Sequence, residues 1–361
     1  VICFGPNDVS DPPVPEILDY EQQIRPEVER RLGPRSALVN PLAGTKFPNF
    51  SMLRATSRTF RVWHPRGPEK TEVWSWIYTD KAAPPLREYL GEMAWYLDAF
   101  FDRREGGVEV IGGMHKWVMP CNCKYPAENF GRDAYHVPWS HLSAVQTAFS
   151  TGVTTKPDTT GSMVSPGNGH ILICVGPKDV ADPPMPEILD YEQQIRPEVE
   201  KRLGSRSRLI NPIVGTMFPN FSMLRATSRT FRVWQPRGPD KTEVWSWVFT
   251  DKAAPPHVKE AIRLAGVRGF SPSGTFEQDD MDNWQECTRT CRGVVSRRSF
   301  LNTQMGLGHE RFDEGLNAWA SDFRMSESNH RQFYGRWAQL MKAESWSDVP
   351  RKNGWAGANH G

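Results

Sequence analysis

The chain has 361 residues and is nearly charge-balanced, with 44 Lys and Arg against 42 Asp and Glu for a formal net charge of +2. That balance argues against a nucleic-acid partner, which draws a clear basic excess or stripe. Hydrophobic residues at 38% and aromatic residues at 11% supply ample core material, which excludes disorder for most of the chain, and no apolar run approaches the roughly 20 residues of a membrane-spanning helix.

The first residues, Val1-Ile-Cys-Phe-Gly-Pro6, have no basic stretch and no long apolar run, so no signal peptide is expected and the start reads as a cut edge. Residues 3–85 recur at 174–256 with a constant offset, about 68 of 83 positions being identical. Two such long copies do not make a solenoid, which needs several short units. The expectation is a partial tandem fusion: residues 1–85 as a partial duplicate of 172–256, followed by a domain over 86–361. Within each copy the spacing predicts a helix, as over Glu187–Gly204 with a glycine stop. A hairpin follows, as from Thr230–Gln235 through Pro236–Lys241 to Thr242–Phe249. Its tryptophans Trp234, Trp245 and Trp247 read as core and subunit contact, and Arg25–Arg31 with its copy as a solvated helix face.

Residues 86–104 predict one amphipathic helix, with strands after it near Val108–Ile111 and Trp117–Pro120. Residues 151–170, rich in Thr, Ser, Gly and Pro, predict a long loop of the kind used as a lid. Separate helices and strands predict an α+β fold. Of the expected copies, 174–256 is the one that completes the sheet beside the site, leaving 1–85 as a separate, partly exposed lobe. Six unevenly placed cysteines fit a reducing, cytoplasmic compartment better than a disulfide scaffold. Cys287 and Cys291 read as two thiols on a helix, since no second ligand pair stands at finger-like spacing.

The chemistry concentrates in Asn122–His141. His136 and His141 are five apart, which on a straight helix leaves them about 140° from a shared face. Pro138 between them is expected to break or kink the turn so that both imidazoles converge. Far downstream, Asp279, Asp280 and Asp282 are each able to supply a carboxylate. Two neutral imidazoles and one carboxylate on one triangular face leave the opposite positions open, a pattern suited to non-haem Fe(II).

Ala127-Glu-Asn-Phe-Gly-Arg-Asp-Ala-Tyr-His-Val-Pro-Trp-Ser-His141, Phe276-Glu-Gln-Asp-Asp280 and Asn329-His-Arg-Gln-Phe-Tyr-Gly-Arg-Trp337 resemble the catalytic domain of the alpha subunit of Rieske-type aromatic ring-hydroxylating dioxygenases. The resemblance covers essentially residues 86–350. It implies a helix-grip fold, a curved antiparallel sheet gripping a long helix. It implies His136, His141 and Asp280 as ligands of a mononuclear Fe(II), with Asn129 close to the metal. Asp133 is implied to bond a ligand imidazole and to relay electrons from a neighbouring subunit's cluster. Phe130, Val137, Phe270 and Phe276 match positions of the substrate pocket. An aromatic hydrocarbon, biphenyl-like or polycyclic, and O2 are the implied substrates, giving a cis-dihydrodiol. The electrons are implied to come from NADH through a ferredoxin and reductase chain, and small beta subunits are implied partners.

Two features depart from the family. Cys123 stands where a Trp is usual, and no C-x-H with C-x2-H pair occurs, so the ligands expected for a Rieske [2Fe–2S] cluster are absent from these residues. The rival readings are a non-enzymatic helix-grip binding module for apolar ligands, which the His pair and Asp280 oppose, and an inert fused fragment, which the duplicate and missing cluster ligands favour.

Overall fold

The computed structural model describes residues 2–3, 15–34, 42–46, 50–54, 58–65, 71–77, 86–149, 161–175, 185–210, 212–226 and 228–350. It divides into two compact units, residues 1–83 and 84–361. In the first, helix α1 (Pro15–Leu32) accompanies five strands: β1 (Ile2–Cys3), β2 (Leu42–Lys46), β3 (Phe50–Arg54), β4 (Arg58–Pro65) and β5 (Thr71–Ile77). They form one sheet in the order β1-β2-β3-β4-β5, antiparallel throughout.

The second unit begins with helices α2 (Leu86–Leu90) and α3 (Met93–Phe101), the long strand β6 (Val108–Met119), and helices α4 (Lys124–Arg132), α5 (Val137–Ser140) and α6 (Leu142–Phe149). Strands β7 (Ser162–Gly167) and β8 (His170–Cys174) lead to α7 (Pro186–Leu203), then to β9 (Ile213–Met217), β10 (Phe221–Arg225), β11 (Arg229–Pro236) and β12 (Thr242–Asp251). Helices α8 (Pro256–Phe270) and α9 (Thr275–Thr290), strands β13 (Glu310–Asp313) and β14 (Ala318–Ser321), and helix α10 (Ser328–Lys342) complete it. Its nine strands run in the order β13-β14-β7-β8-β9-β10-β11-β12-β6. This is an α+β fold built on one antiparallel sheet.

Because strand side chains alternate between faces, neighbouring residues feed opposite cores. Leu172, Met223 and Phe249 pack with Met93, Tyr96 and Phe100 of α3. Ile171, Leu224, Trp234 and Val244 pack with Ala127 and Phe130 of α4, Trp284 of α9 and Phe333 of α10. The sheet thus carries α3 on one face and the helices that bear the candidate site on the other. Helix α7 uses Ile188, Tyr191, Ile195 and Val199, spaced three or four apart as one helical stripe requires, to pack on α8 and Val248.

The repeat folds twice in the same way. Ile2 pairs with Ala43 and Leu42 with Arg54 in the first unit; Ile173 pairs with Val214 and Ile213 with Arg225 in the second.

Several sequence expectations are corrected. Residues 86–104 form two helices, α2 and α3, because Gly91 adopts φ +52° between them. The two strands expected before residue 120 are one strand, β6, with Gly112 and Gly113 at φ +74° and +79° where its pairing with β12 shifts register between Trp247 and Val248. Within the expected 151–170 loop, residues 162–174 form the β7–β8 hairpin, turned by Asn168 at φ +54° and Gly169; residues 151–160 lie outside the described residues. The copied basic segment on α7, by contrast, is a solvated face as expected: Arg196, Lys201 and Arg202 are exposed, and its ion pairs, Arg202 with Asp102 at 2.6 Å and Glu198 with Arg104 at 2.7 Å, lie at the surface.

Candidate metal centre

Helix α4 ends at Arg132, and a short 3-10 turn, Ala134–His136, follows. Its cap is Asp133, whose Oδ1 accepts from the His136 backbone N–H at 3.1 Å. One-turn helix α5 comes next and His141 terminates it, donating its backbone N–H to Val137 O at 3.3 Å. Pro138 sits in the first turn of α5, where its missing N–H breaks no helical bond. The convergence of the two imidazoles therefore comes from the change of helix type before α5 and the break after it, a correction to the kink expected at Pro138.

Helix α9 supplies the carboxylate. Phe276, Glu277, Asp280, Trp284 and Thr288 form its buried stripe, and Asp279, one residue off that stripe, is half-buried. His136 Nε2 and His141 Nε2 lie 3.2 Å apart. Asp280 Oδ1 is 3.3 Å from the first and 3.2 Å from the second. Among the described residues this is the one group of three or more His, Cys, Asp or Glu side chains close enough to hold a metal ion.

The hydrogen-bond partners of the two rings are compatible with that reading. His136 Nδ1 lies against Asp133 O, and His141 Nδ1 lies 3.1 Å from Asp279 Oδ2. Placing both protons on Nδ1 leaves both Nε2 lone pairs aimed at the same point as Asp280 Oδ1, a buried atom with no hydrogen-bond partner. A triangle of such edges has its centre about 1.9 Å from each corner, so a point at a metal–ligand distance of about 2.1 Å lies just off its plane and leaves one side open.

Charge is organised around the triad. Burial works against the Asp280 carboxylate, but His136 and His141 hold it well below the usual carboxylate range. Burial likewise opposes the His136 cation, and Asp133 and Asp280 nevertheless raise its pKa well above the usual value. A metal ion would take that proton's place, since imidazole ligands bind as the neutral form. Burial also works against the partly enclosed Asp133 carboxylate, yet His136 and Arg132 keep its pKa low.

The other expected residues divide. Asn129 Nδ2 is 3.3 Å from His136 Nδ1 and 3.4 Å from Asp133 Oδ2. Phe276 presents an edge-on contact to His141 at 5.1 Å and lies 5.5 Å from Phe270. Phe130 belongs to the core beside Trp234, 5.5 Å away. Val137 is 37% exposed on a helix with no buried residue, so it is not gathered with those aromatic rings. Cys287 and Cys291 are exposed, and Cys291 Sγ lies 2.8 Å from the Tyr125 hydroxyl.

Sequence reasoning missed two features. Asp279 orients His141, a role hidden because its chemistry equals that of Asp280. Arg232 on β11 is fully buried, ion-paired with Glu277 and bonded to Phe270 O at 3.1 Å. Its guanidinium lies 4.8 Å from the Phe130 ring centre and 5.2 Å from that of Phe270. Burial pushes the Glu277 carboxyl up to about 7 against the pull of Arg232. The alternating pattern of β11 placed Arg232 on the Trp234 face, which was the available signal.

The model of the family "Ring hydroxylating alpha subunit (catalytic domain)" matches residues 5–111 and 108–343. The chain is 37% identical over 279 residues to the chlorobenzene dioxygenase alpha subunit of Cupriavidus sp. strain PS12, covering 74% of this chain and 62% of that protein. It is 36% identical over 280 residues to the biphenyl 2,3-dioxygenase alpha subunit of Rhodococcus jostii strain RHA1, covering 74% and 60%. A solved naphthalene 1,2-dioxygenase from Rhodococcus sp., bound to indole, superposes with a TM-score of 0.64 at 35% identity, over 73% of this chain and 63% of that one. The chain thus spans about three-fifths of the length of these relatives. On the family match and the geometry of its metal centre, the chain belongs to the ring-hydroxylating dioxygenase alpha subunits, as their catalytic domain.

Proposed function

We propose that the chain carries out the oxygen-inserting step of an aromatic ring-hydroxylating dioxygenase, converting an aromatic hydrocarbon and O2 to a cis-dihydrodiol. The observation that carries this reading is the triangle of His136 Nε2, His141 Nε2 and Asp280 Oδ1, with edges of 3.2 and 3.3 Å. The donor set fits Fe(II), which when bound supplies O2 activation at its open positions. Asp133 and Asp279 hold the two imidazoles by their Nδ1 atoms, fixing tautomer and ring plane. Phe276 and Phe270 form an apolar wall beside His141 that excludes water and accepts a flat ring. Arg232 and Glu277 brace that wall and the first turn of α9.

Chlorobenzene, biphenyl and naphthalene in the names of the relatives support a hydrocarbon substrate, biphenyl-like or polycyclic. Electrons come from NADH through a ferredoxin and reductase and reach the site through Asp133, a role supported by the contact of its backbone carbonyl with the His136 ring and by its carboxylate 3.7 Å from His136 Nδ1. A Rieske [2Fe–2S] cluster is the family's electron donor to such a site, and its C-x-H with C-x2-H ligand pair is not among these residues. Small beta subunits complete the oligomer, and the enzyme works in the cytoplasm; among the described residues no helix is long and apolar enough to cross a membrane. We read the second unit as a helix-grip fold and residues 1–85 as a partial duplicate of its middle third.

Anaerobic loading with Fe(II), followed by naphthalene and 18O-labelled hydrogen peroxide, tests the proposal. Peroxide brings both oxygens and both hydrogens of the dihydrodiol, so no external electron is needed. Doubly labelled dihydrodiol that disappears in Asp280→Asn is the expected result. A chain that binds naphthalene but neither iron nor label would overturn it in favour of an apolar-ligand module.

A further inference from the structure

Away from the metal centre, a cavity of about 310 Å³ is lined by Arg103, Glu192, Arg196, Glu200, Ser207 and Arg208. Behind it lies a cluster of buried charge. Arg103 grips Glu192 with two bonds of 3.1 and 2.7 Å, Arg225 grips Asp251 at 3.1 and 2.9 Å, and Arg229 reaches Glu192 at 2.6 Å and Asp251 at 3.4 Å. The remaining partners are neutral: Tyr191 donates its hydroxyl to Asp251 at 3.2 Å, and Arg225 donates to Phe100 O at 3.3 Å. Three guanidiniums face two carboxylates, leaving one positive charge in excess. The end of α3 at Phe100 offsets at most about half a unit.

An uncompensated buried charge is strongly unfavourable, and this one is felt within the cluster. Burial, then the neighbouring Arg103, lowers the Arg225 pKa to about 10, which still leaves it charged at neutral pH. The cavity rim adds more positive charge. Arg196 is exposed and has no ion pair within 4 Å among the described residues, acting on Glu200 at longer range, while Arg208 holds Glu200 with two bonds of 2.8 Å, so the rim adds one net positive charge.

The repeat supplies an internal comparison at the level of sequence. Glu192, Arg225, Arg229 and Asp251 correspond to Glu21, Arg54, Arg58 and Asp80, two acids and two bases. Arg103 lies outside the repeat, and Arg208 corresponds to Ala37. The excess charge therefore arises from Arg103, and Arg208 adds a rim cation that the first copy lacks.

We propose that this cavity binds a small oxyanion, a carboxylate or a phosphate, through Arg103, Arg196 and Arg208. Guanidiniums match the two-oxygen edge of such groups, and the volume suits a small molecule. The site stands apart from the metal centre and does not depend on the catalytic reading.

The test is calorimetric titration of the full chain with inorganic phosphate and, separately, with acetate, chloride holding the ionic strength constant. Saturable binding of one anion per chain is expected, weakened at least tenfold in Arg196→Gln and in Arg208→Ala. Both side chains are largely exposed, so these variants retain the fold, and circular dichroism checks that they do. Binding of only one of the two anions assigns the ligand as phosphate-like or carboxylate-like and supports the site. Absence of saturable binding, or equal affinity in both variants and the parent, overturns it.

Discussion

Asp279 and Asp280 are adjacent and chemically identical, yet α9 gives them different tasks. Successive residues on a helix are turned by about 100°, so Asp280 faces both imidazoles while Asp279 meets His141 from its Nδ1 side at 3.1 Å. Spacing alone left Asp279, Asp280 and Asp282 open as ligands, because choosing between them requires the rotation of α9 about its axis. Packing of Phe276 and Trp284 sets that rotation, and it is a tertiary property. Replacing Asp280 by Asn removes an anionic ligand, and the chain is expected to lose stoichiometric Fe(II). Asp279→Asn keeps every ligand and loosens one imidazole, a change that typically weakens a metal site 10–100-fold. Anaerobic competition with a chelator measures both. Equal losses in the two variants would remove the distinction between ligand and orienting carboxylate.

The β7–β8 hairpin shows what was and was not legible at the level of elements. Its composition reads as loop because Ser162, Ser165, Gly167, Asn168 and Gly169 resemble turn residues. Its outer neighbours β14 and β9 nevertheless pair with it and bury both strands. Long-range pairing overrode local propensity there. The hairpins inside the repeat, by contrast, announce themselves through β-branched and aromatic runs around a Pro-Gly turn.

His170, at the hairpin's turn, gives this element a pH signature. Its Nδ1 accepts the Phe218 backbone N–H at 3.0 Å, and its Nε2 faces Tyr89 O at 3.1 Å. This neutral imidazole is fully satisfied, and burial lowers its pKa to about 4. An unfolded histidine titrates near 6.5, so between pH 6.5 and pH 4 the unfolded chain binds more protons than the folded one. The stability from this group is complete above pH 6.5 and declines by about 3 kcal/mol as the pH falls to 4. Urea unfolding across that window is expected to show a steeper acid loss for the parent chain than for His170→Gln. Parallel curves would show that His170 does not titrate against the fold.

At the scale of the whole chain, one sequence occurs in two settings. The ladder β1–β5 repeats the pairings of β8–β12, so the repeat encodes its own register through side-chain alternation and turn chemistry. What differs is the surroundings. In the second unit β7 and β14 extend the ladder beyond β8, and β6 covers the edge of β12. In the first, β1 and β5 are edge strands with no further neighbour among the described residues. Unpaired edges invite association between chains. The metal-site residues and the four apolar clusters, as far as the described residues show them, draw on positions after residue 85. A chain of residues 86–361 is therefore expected to melt within a few degrees of the full chain's main transition. It should bind one Fe(II) with unchanged affinity and aggregate less at the same concentration. Differential scanning calorimetry, iron titration and light scattering on the two chains measure the three quantities. A truncated chain that unfolds or releases its iron would mean that the first copy supplies a part of the catalytic fold, and that the nine-stranded sheet is not self-sufficient.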